Sequence, residues 1–246
     1  MSLKIAIVGY GQMGKQIESL AQAAGCQVTN IFDLDNPIKE TGVYDFDVAI
    51  DFTYPDTVIK NVLLLARLKK NIVLGTTGWY QHTSQVQEIV NQYKIGLVWG
   101  SNFSVGMQIF NRVVSKAAEL INPLNDYDIF MHELHHKRKK DSPSGTAVTL
   151  AQAILDKVDR KIIIESDKVD SEISPNALHV SSTRGGEIAG THTIYLDSIA
   201  DTIELTHRAR NRSGFASGSL VAAKWVAGKS GFYNFDNVMD SIWEGK

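Results

Sequence analysis

The chain of 246 residues contains one cysteine, Cys26. No internal disulfide and no cysteine-based zinc cluster can be built from it, which suits a reducing compartment. Neither sign of charge dominates: 25 Lys+Arg stand against 27 Asp+Glu, for a formal net charge of −2. That balance argues against a protein made to bind nucleic acid, while leaving room for a local basic patch. Long apolar runs are missing too. Nothing approaches the ~18 residues of a membrane span, and Leu3–Val8 is too short for a signal peptide and runs into glycine. Proline is scarce at five residues, with no low-complexity linker and no internal repeat. The remainder, 43% hydrophobic and 21% charged, is globular and long enough for one large or two small domains. A cytoplasmic enzyme that neither spans a membrane nor binds nucleic acid is the expectation.

The first hundred residues alternate between strand and helix patterns. Leu3–Val8, Gln27–Phe32, Val48–Phe52, Ile72–Leu74 and Gly96–Trp99 read as strands. Lys15–Ala24, Asp56–Arg67 and Thr83–Tyr93 read as the helices between them, with Gly25 in a C-cap position. Such alternation predicts a Rossmann-type parallel sheet covered on both faces. A long helix over Val105–Ile121 follows, closed by Asn122-Pro123-Leu124-Asn125. Beyond a helix over Ser144–Leu155, strand-like stretches predominate, at 161–165, 179–183, 192–196 and 202–206, before Phe215–Ala227 returns to helix. This predicts an α+β domain with a mixed sheet. The change of pattern puts domain boundaries near residues 102–106 and 212–216.

Between the first strand and the first helix lies Gly9-Tyr10-Gly11-Gln12-Met13-Gly14. It matches G-x-G-x-x-G in the context that gives the pattern meaning. The first glycine allows a tight turn, the second lets backbone approach a pyrophosphate, and the third packs helix on strand. The helix start offers free N–H groups and a favourable dipole to that anion. Asp33, 19 residues after Gly14, stands at the end of the second strand, where an acid accepts bonds from ribose hydroxyls. An acid there disfavours a 2′-phosphate unless an arginine adjoins it. The neighbour is Leu34, so NADH is favoured, with NADPH the alternative. Gly75-Thr76-Thr77-Gly78 and Gly100-Ser101-Asn102-Phe103 follow the fourth and fifth strands, at the sheet edge where ligands bind. By residue chemistry alone they are equally ordinary turns.

The segment from His132 to Thr146 (HELHHKRKKDSPSGT) is the densest in chemistry. His132-Glu133-Leu134-His135-His136 spells H-E-x-x-H, but a zinc protease needs that motif on a helix, and the residues before it are β-prone. A strand running into a loop is expected instead, with no bound metal. His135, His136 and the run Lys137–Lys140 concentrate positive charge, and Pro143-Ser144-Gly145-Thr146 opens a helix. This reads as an anion site in which a histidine or lysine of lowered pKa donates a proton. A solvated basic loop is the competing reading.

The same segment resembles the dihydrodipicolinate reductase family, whose signature E-x-H-H-x-x-K-x-D-x-P-S-G-T-A is met at Glu133, His135, His136, Lys139, Asp141 and Pro143–Ala147. Further agreement at Gly75–Gly78, Asn102–Gly106, Arg184–Gly190, His192-Thr193 and Phe215-Ala216 extends the resemblance over nearly the whole chain. It implies a homotetrameric reductase that passes hydride from a nicotinamide to a cyclic dicarboxylate, with a dinucleotide-binding domain at 1–104 and 216–246 interrupted by a substrate-binding and tetramerisation domain at 105–215. It implies His135 as acid/base group and Lys139 as proton donor. His136, Ser144, Gly145 and Thr146 would bind substrate carboxylates, and Gly75–Thr77 with Gly100–Phe103 would line the nicotinamide site. Members that use NADPH carry arginines where this chain has Gln12, Leu34 and Tyr54. Arg184, Arg212, His192 and His207 read as ordinary structural residues, with a supporting role in the site as the alternative.

Overall fold

The computed structural model describes residues 2–166 and 168–245. In chain order the first elements are β1 (Leu3–Val8), α1 (Gln12–Ala21), β2 (Cys26–Phe32), β3 (Val48–Asp51), α2 (Val58–Arg67), β4 (Asn71–Leu74), α3 (Thr83–Tyr93), β5 (Gly96–Trp99) and α4 (Val105–Ile121). Then come β6 (Asp128–His135), α5 (Gly145–Leu155), β7 (Ile163–Glu165), β8 (Ala177–Arg184), β9 (Thr191–Asp197), β10 (Thr202–Arg208), α6 (Ser213–Val226), β11 (Gly231–Asn234) and α7 (Phe235–Trp243). They fall into two units. One holds the residues up to Val105 and those from Arg212 onward; the other is Gly106–Asn211.

The first unit is a six-stranded sheet in the order β11-β5-β4-β3-β1-β2, parallel throughout. Its central strands are apolar on both faces because each face meets helices. Ile5, Ile7, Val48, Ile50 and Val98 enter one core with α1, α6 and α7; their neighbours Ala6, Val8, Ala49 and Leu97 enter the other with α2 and α3. The order reverses about β1, so the carboxyl ends of β1 and β3 flank the crevice in which such sheets bind ligands.

The sequence expectation departs from this unit at two places. Helix α1 begins at Gln12, not Lys15, because Gln12, Met13 and Gly14 of the glycine loop themselves wind into its first turn. It ends at Ala21, and Gly25 (φ +72°) belongs to the turn beyond. Strand β11 and helix α7 were not read from the residue pattern. The strand has only four residues, GFYN. The helix announces itself by a capping box, in which Asn234 and Asn237 bond each other's backbone N–H.

The second unit is a five-stranded sheet, β10-β9-β6-β8-β7. It is mixed: β9 runs antiparallel to β6 and β10, while β8 runs parallel to β6 and β7. Helices α4 and α5 cover one face, packing Phe110, Val114, Leu150 and Ile154 against Met131, Val180 and Ile194. On β6 every second residue, Ile129, Met131, Glu133 and His135, turns to that buried face. Pro143 lies outside α5, because Ser144 is the N-cap and Gly145 the first helical residue.

Gly218 in α6 shows how closely the first unit is packed. A Cβ there would stand 1.6 Å from the Phe103 carbonyl oxygen. Gly218→Ala should therefore destabilise the protein, by at least about 2 kcal/mol in urea unfolding, although alanine is the better helix former by ~1 kcal/mol.

Candidate functional sites

In the first unit the loops after β1 to β5 all leave the same edge of the sheet. Gly9 (φ +91°) has no room for a side chain, since a Cβ would lie 2.4 Å from the Phe52 carbonyl oxygen. Gly14 packs α1 onto β1, and a Cβ there would come 2.4 Å from the Gly9 oxygen. Gly11 is the opposite case, with nothing within 4 Å of its would-be Cβ. It is also the N-cap of α1, and no side chain caps that helix start. Exposed backbone N–H groups and open space above them form a cradle suited to a pyrophosphate. Tyr10 leans away to donate its hydroxyl to Glu18, while Gln12 is exposed and Met13 half-buried.

Asp33 follows β2 directly and is exposed. Its Oδ1 accepts from the N–H groups of Asp35 and Asn36, at 3.0 and 2.9 Å, which fixes the carboxylate at the strand end. Leu34 and Tyr54 project into solvent, 89% and 70% exposed. Thr77 and Ser101 are exposed, whereas Thr76 and Phe103 are buried supports; Asn102 accepts from the Ser104 N–H at 2.9 Å.

A residue that sequence reading passed over organises these loops. Asp51, fully buried at the end of β3, accepts from the hydroxyls of Thr53 (2.7 Å) and Thr76 (3.1 Å), from the Thr53 N–H and from Asn61. Burial pushes its pKa up, and these donors oppose that rise. The loop carrying Gly75–Thr77 is thereby tied to the loop after β3.

The second unit gathers a different set. Glu133 lies on β6 with no exposed surface. Its Oε1 accepts from Arg184 (2.7 Å), from the Ser144 N–H (2.9 Å) and from the Ser182 hydroxyl (2.9 Å). Its Oε2 lies 3.0 Å from His135 Nδ1 and 3.7 Å from His192 Nε2. Burial by itself would raise the Glu133 pKa, but the Ser144, Arg184 and Ser182 donors bring it down to about 2. Across the sheet His207, His192, Glu133 and Ser182 stand opposite one another on four adjacent strands. The His135 and His192 rings meet edge to face at 5.3 Å.

Both histidines are held toward the neutral form. Burial lowers the His135 pKa; Glu133 raises it, and Lys139, Arg184 and His136 lower it further. Burial, with His135 adding to it, takes His192 down to about 4. Lys139 is half-buried and pairs with Asp141 at 2.9 Å. The Asp141 carboxylate has its pKa lowered first by Lys139, with the backbone N–H groups of Asp141 itself and of Gly145, at the start of α5, adding to the effect. Ser144 is buried and its hydroxyl caps the helix, accepting from the Ala147 N–H at 3.2 Å, while Gly145 has open space around it. Thr146 is half-buried beside it, and His136 is anchored by its own N–H on the Ile188 carbonyl.

The basic run is less positive than its sequence suggests, because Arg138 forms a two-point pair with Glu187 and Lys139 is matched by Asp141. The H-E-x-x-H string lies on strand β6, as the β-prone residues before it indicated. His132 faces away from Glu133 and bonds Thr183 Oγ1 at 2.9 Å, so the helical zinc-protease geometry does not arise. Glu133, His135 and His192 do bring ligand-type atoms within 4.8 Å of one another. Arg184, however, already supplies the positive charge that the carboxylate requires. Arg184 and His192, read from sequence as structural residues, thus belong to this cluster.

Because these groups are ionised or neutral by virtue of the fold, stability must depend on pH. A histidine of depressed pKa stabilises the native state above about pH 6.5 and loses that contribution as pH falls through the depressed value. Glu133 contributes above about 4.5 and loses its contribution toward pH 2. The urea midpoint should therefore fall steadily from pH 6.5 to 4 and further below. His192→Gln should remove on the order of 3 kcal/mol of the upper portion. A wild-type midpoint flat between pH 6.5 and 4 contradicts this account.

Comparison with known proteins bears on both units. Residues 3–103 match the family model "Dihydrodipicolinate reductase, N-terminus", and residues 106–239 match "Dihydrodipicolinate reductase, C-terminus". The 4-hydroxy-tetrahydrodipicolinate reductase of Christiangramia forsetii is 35% identical over 244 residues, covering 98% of this chain and 100% of that protein. The enzyme of the same name from Archaeoglobus fulgidus is 36% identical over 263 aligned residues, covering 97% and 100%. Among solved structures, a dipicolinate-bound dihydrodipicolinate reductase from Paenisporosarcina sp. TG-14 shares the fold at a TM-score of 0.73 and 22% identity, covering 96% of this chain and 99% of that one. Matched in both halves and related at this level along nearly its full length, the chain belongs to the dihydrodipicolinate reductase family.

Proposed function

We propose that the protein reduces 4-hydroxy-tetrahydrodipicolinate to tetrahydrodipicolinate with NAD(P)H, a step of lysine and diaminopimelate biosynthesis. The observation that carries this reading is the grouping of His135, the neighbouring Lys139 and the start of α5, which Ser144 ties to the same Glu133 that faces His135. Asp141 already sets its own carboxylate on Lys139, near the Gly145 N–H, so this part of the fold suits the group that a dicarboxylate substrate presents. Relatives named for this reaction support the same conclusion.

The cofactor, when bound, supplies the hydride. Gly9–Gly14 would cradle its pyrophosphate, Asp33 would accept from its ribose, and Gly75–Thr77 and Gly100–Phe103 would line its nicotinamide. Loss of the substrate hydroxyl as water leaves a conjugated system; hydride adds at one carbon, and a proton must reach its neighbour. His135 and Lys139 deliver that proton. Gly145 and Thr146 receive a substrate carboxylate with His136, while Ser144 shapes the helix start from its buried position.

NADH is the preferred cofactor, since Asp33 repels a 2′-phosphate and the exposed Leu34 and Tyr54 offer it no partner. The protein works in the cytoplasm as a homotetramer. One sheet face of the second unit is covered by α4 and α5, and the other carries Phe130 stacked on Tyr195 at 4.9 Å, a surface suited to a second copy.

A coupled assay tests the reading. Substrate generated in place by its synthase should support oxidation of NADH, and less efficiently of NADPH. Absence of oxidation with both refutes the reductase, and equal or better use of NADPH refutes the preference alone. His135→Gln and Lys139→Ala should each lower turnover by ~10²-fold or more with NADH binding nearly intact. Leu34→Arg with Tyr54→Arg should shift the kcat/KM ratio toward NADPH by about tenfold. Light scattering should give the mass of four 27.2-kDa chains.

A further inference from the structure

We propose that Glu133 is the positioning residue of the second-unit site: one oxygen orients the His135 ring, and the other fixes the helix start that receives a carboxylate. For the identity of the reaction this rests on the reductase reading; the arrangement itself does not.

Strand geometry sets the relation. Glu133 and His135 are two residues apart on β6, hence on one face, and Ser144 reaches them from the start of α5. Oε2 and His135 Nδ1 face each other at 3.0 Å, not yet aligned as a formed hydrogen bond, and among the described residues neither has another hydrogen-bond partner. Such contacts in unliganded sites straighten when ligand binds. An ionised carboxylate only accepts, so Nδ1 must carry hydrogen. The other nitrogen, Nε2, then exchanges the proton. It faces Gly190 (φ +153°), where a Cβ would stand 3.0 Å from it, so any side chain at that position would crowd this nitrogen. In the reaction the imidazolium gives its Nε2 proton to substrate carbon and returns to the neutral Nδ1–H form. Glu133 never takes the proton, and solvent restores it to Nε2.

The charges around His135 make the role testable. Glu133 faces it from its own strand, His192 from β9 with His207 beyond on β10, and Arg184 from β8. The loop contributes His136, Lys139 and, paired to Lys139, Asp141. Burial disfavours the charged ring most; Lys139, Arg184 and His136 add to that, and Glu133 opposes them. Removing the Glu133 charge while keeping its shape must make the acid form of His135 harder to populate.

Imidazole 15N NMR of the wild-type enzyme should show neutral His135 as the Nδ1–H tautomer, a result independent of any substrate. Glu133→Gln should lose that preference, move the alkaline limb of the kcat/KM profile to lower pH by about half a unit or more, and lower kcat roughly 10- to 100-fold. The NADH dissociation constant should stay within about twofold. Glu133→Asp, which keeps the charge, should hold the limb near its wild-type position; it serves with the NMR measurement if the glutamine variant does not fold. An Nε2–H tautomer in the wild type, or a lowered kcat in Glu133→Gln with an unmoved limb, overturns the proposal. Wild-type inactivity with both cofactors refutes the reaction assignment and leaves the tautomer result to decide the role of Glu133.

Discussion

A carboxylate without solvent on the middle strand of a sheet is the constraint around which the second unit is arranged. Ionised and unpaired, it would cost several kcal/mol. Glu133 is tolerated because Arg184 neutralises it and because Ser182 and the Ser144 N–H complete the shell of one oxygen. Those partners come from β8 and from the start of α5, so a single charge couples the sheet to the helix laid on it. Once it is satisfied on that side, its remaining oxygen is free to act on His135.

The first unit solves a similar problem with another acid. Asp51 is equally buried, but among the described residues hydroxyls, an amide and a backbone N–H surround it in place of a cation. The two buried acids thus perform related structural work in opposite electrostatic settings. Asp51 sets the loops at a sheet edge, and Glu133 sets a strand against a helix.

Much of this was legible in the sequence, for identifiable reasons. The strands of the first unit are apolar on both faces and punctuated by glycine, which makes a buried parallel sheet hard to mistake. The helix over Val105–Ile121 was visible from its period and its Asn-Pro terminus. Strand β11 and helix α7 escaped because four residues carry too little pattern, and because the signal lay in an Asn–Asn capping box. Within the site, residue chemistry pointed to a histidine or lysine of the loop, and the resemblance to the family signature singled out His135 and Lys139. Glu133 was present in the signature without a role, although alternation along Ile129, Met131, Glu133 and His135 would have placed it inward beside the histidine. Arg184 and His192 reach the cluster only through β8 and β9, and no local pattern reveals which strands pair.

The parallel pairing of β11 with β5 joins Gly231 to Gly96 across the whole of the intervening unit. Phe235, Val238 and Met239 of α7 then complete the core that α1 and α6 share with the sheet. Contacts so distant in sequence form late and slow folding. On the ribosome, the second unit has all of its strands before the first can be finished. Until β11 arrives, β5 is an open edge of apolar residues, the kind of surface to which chaperones bind and from which aggregation begins.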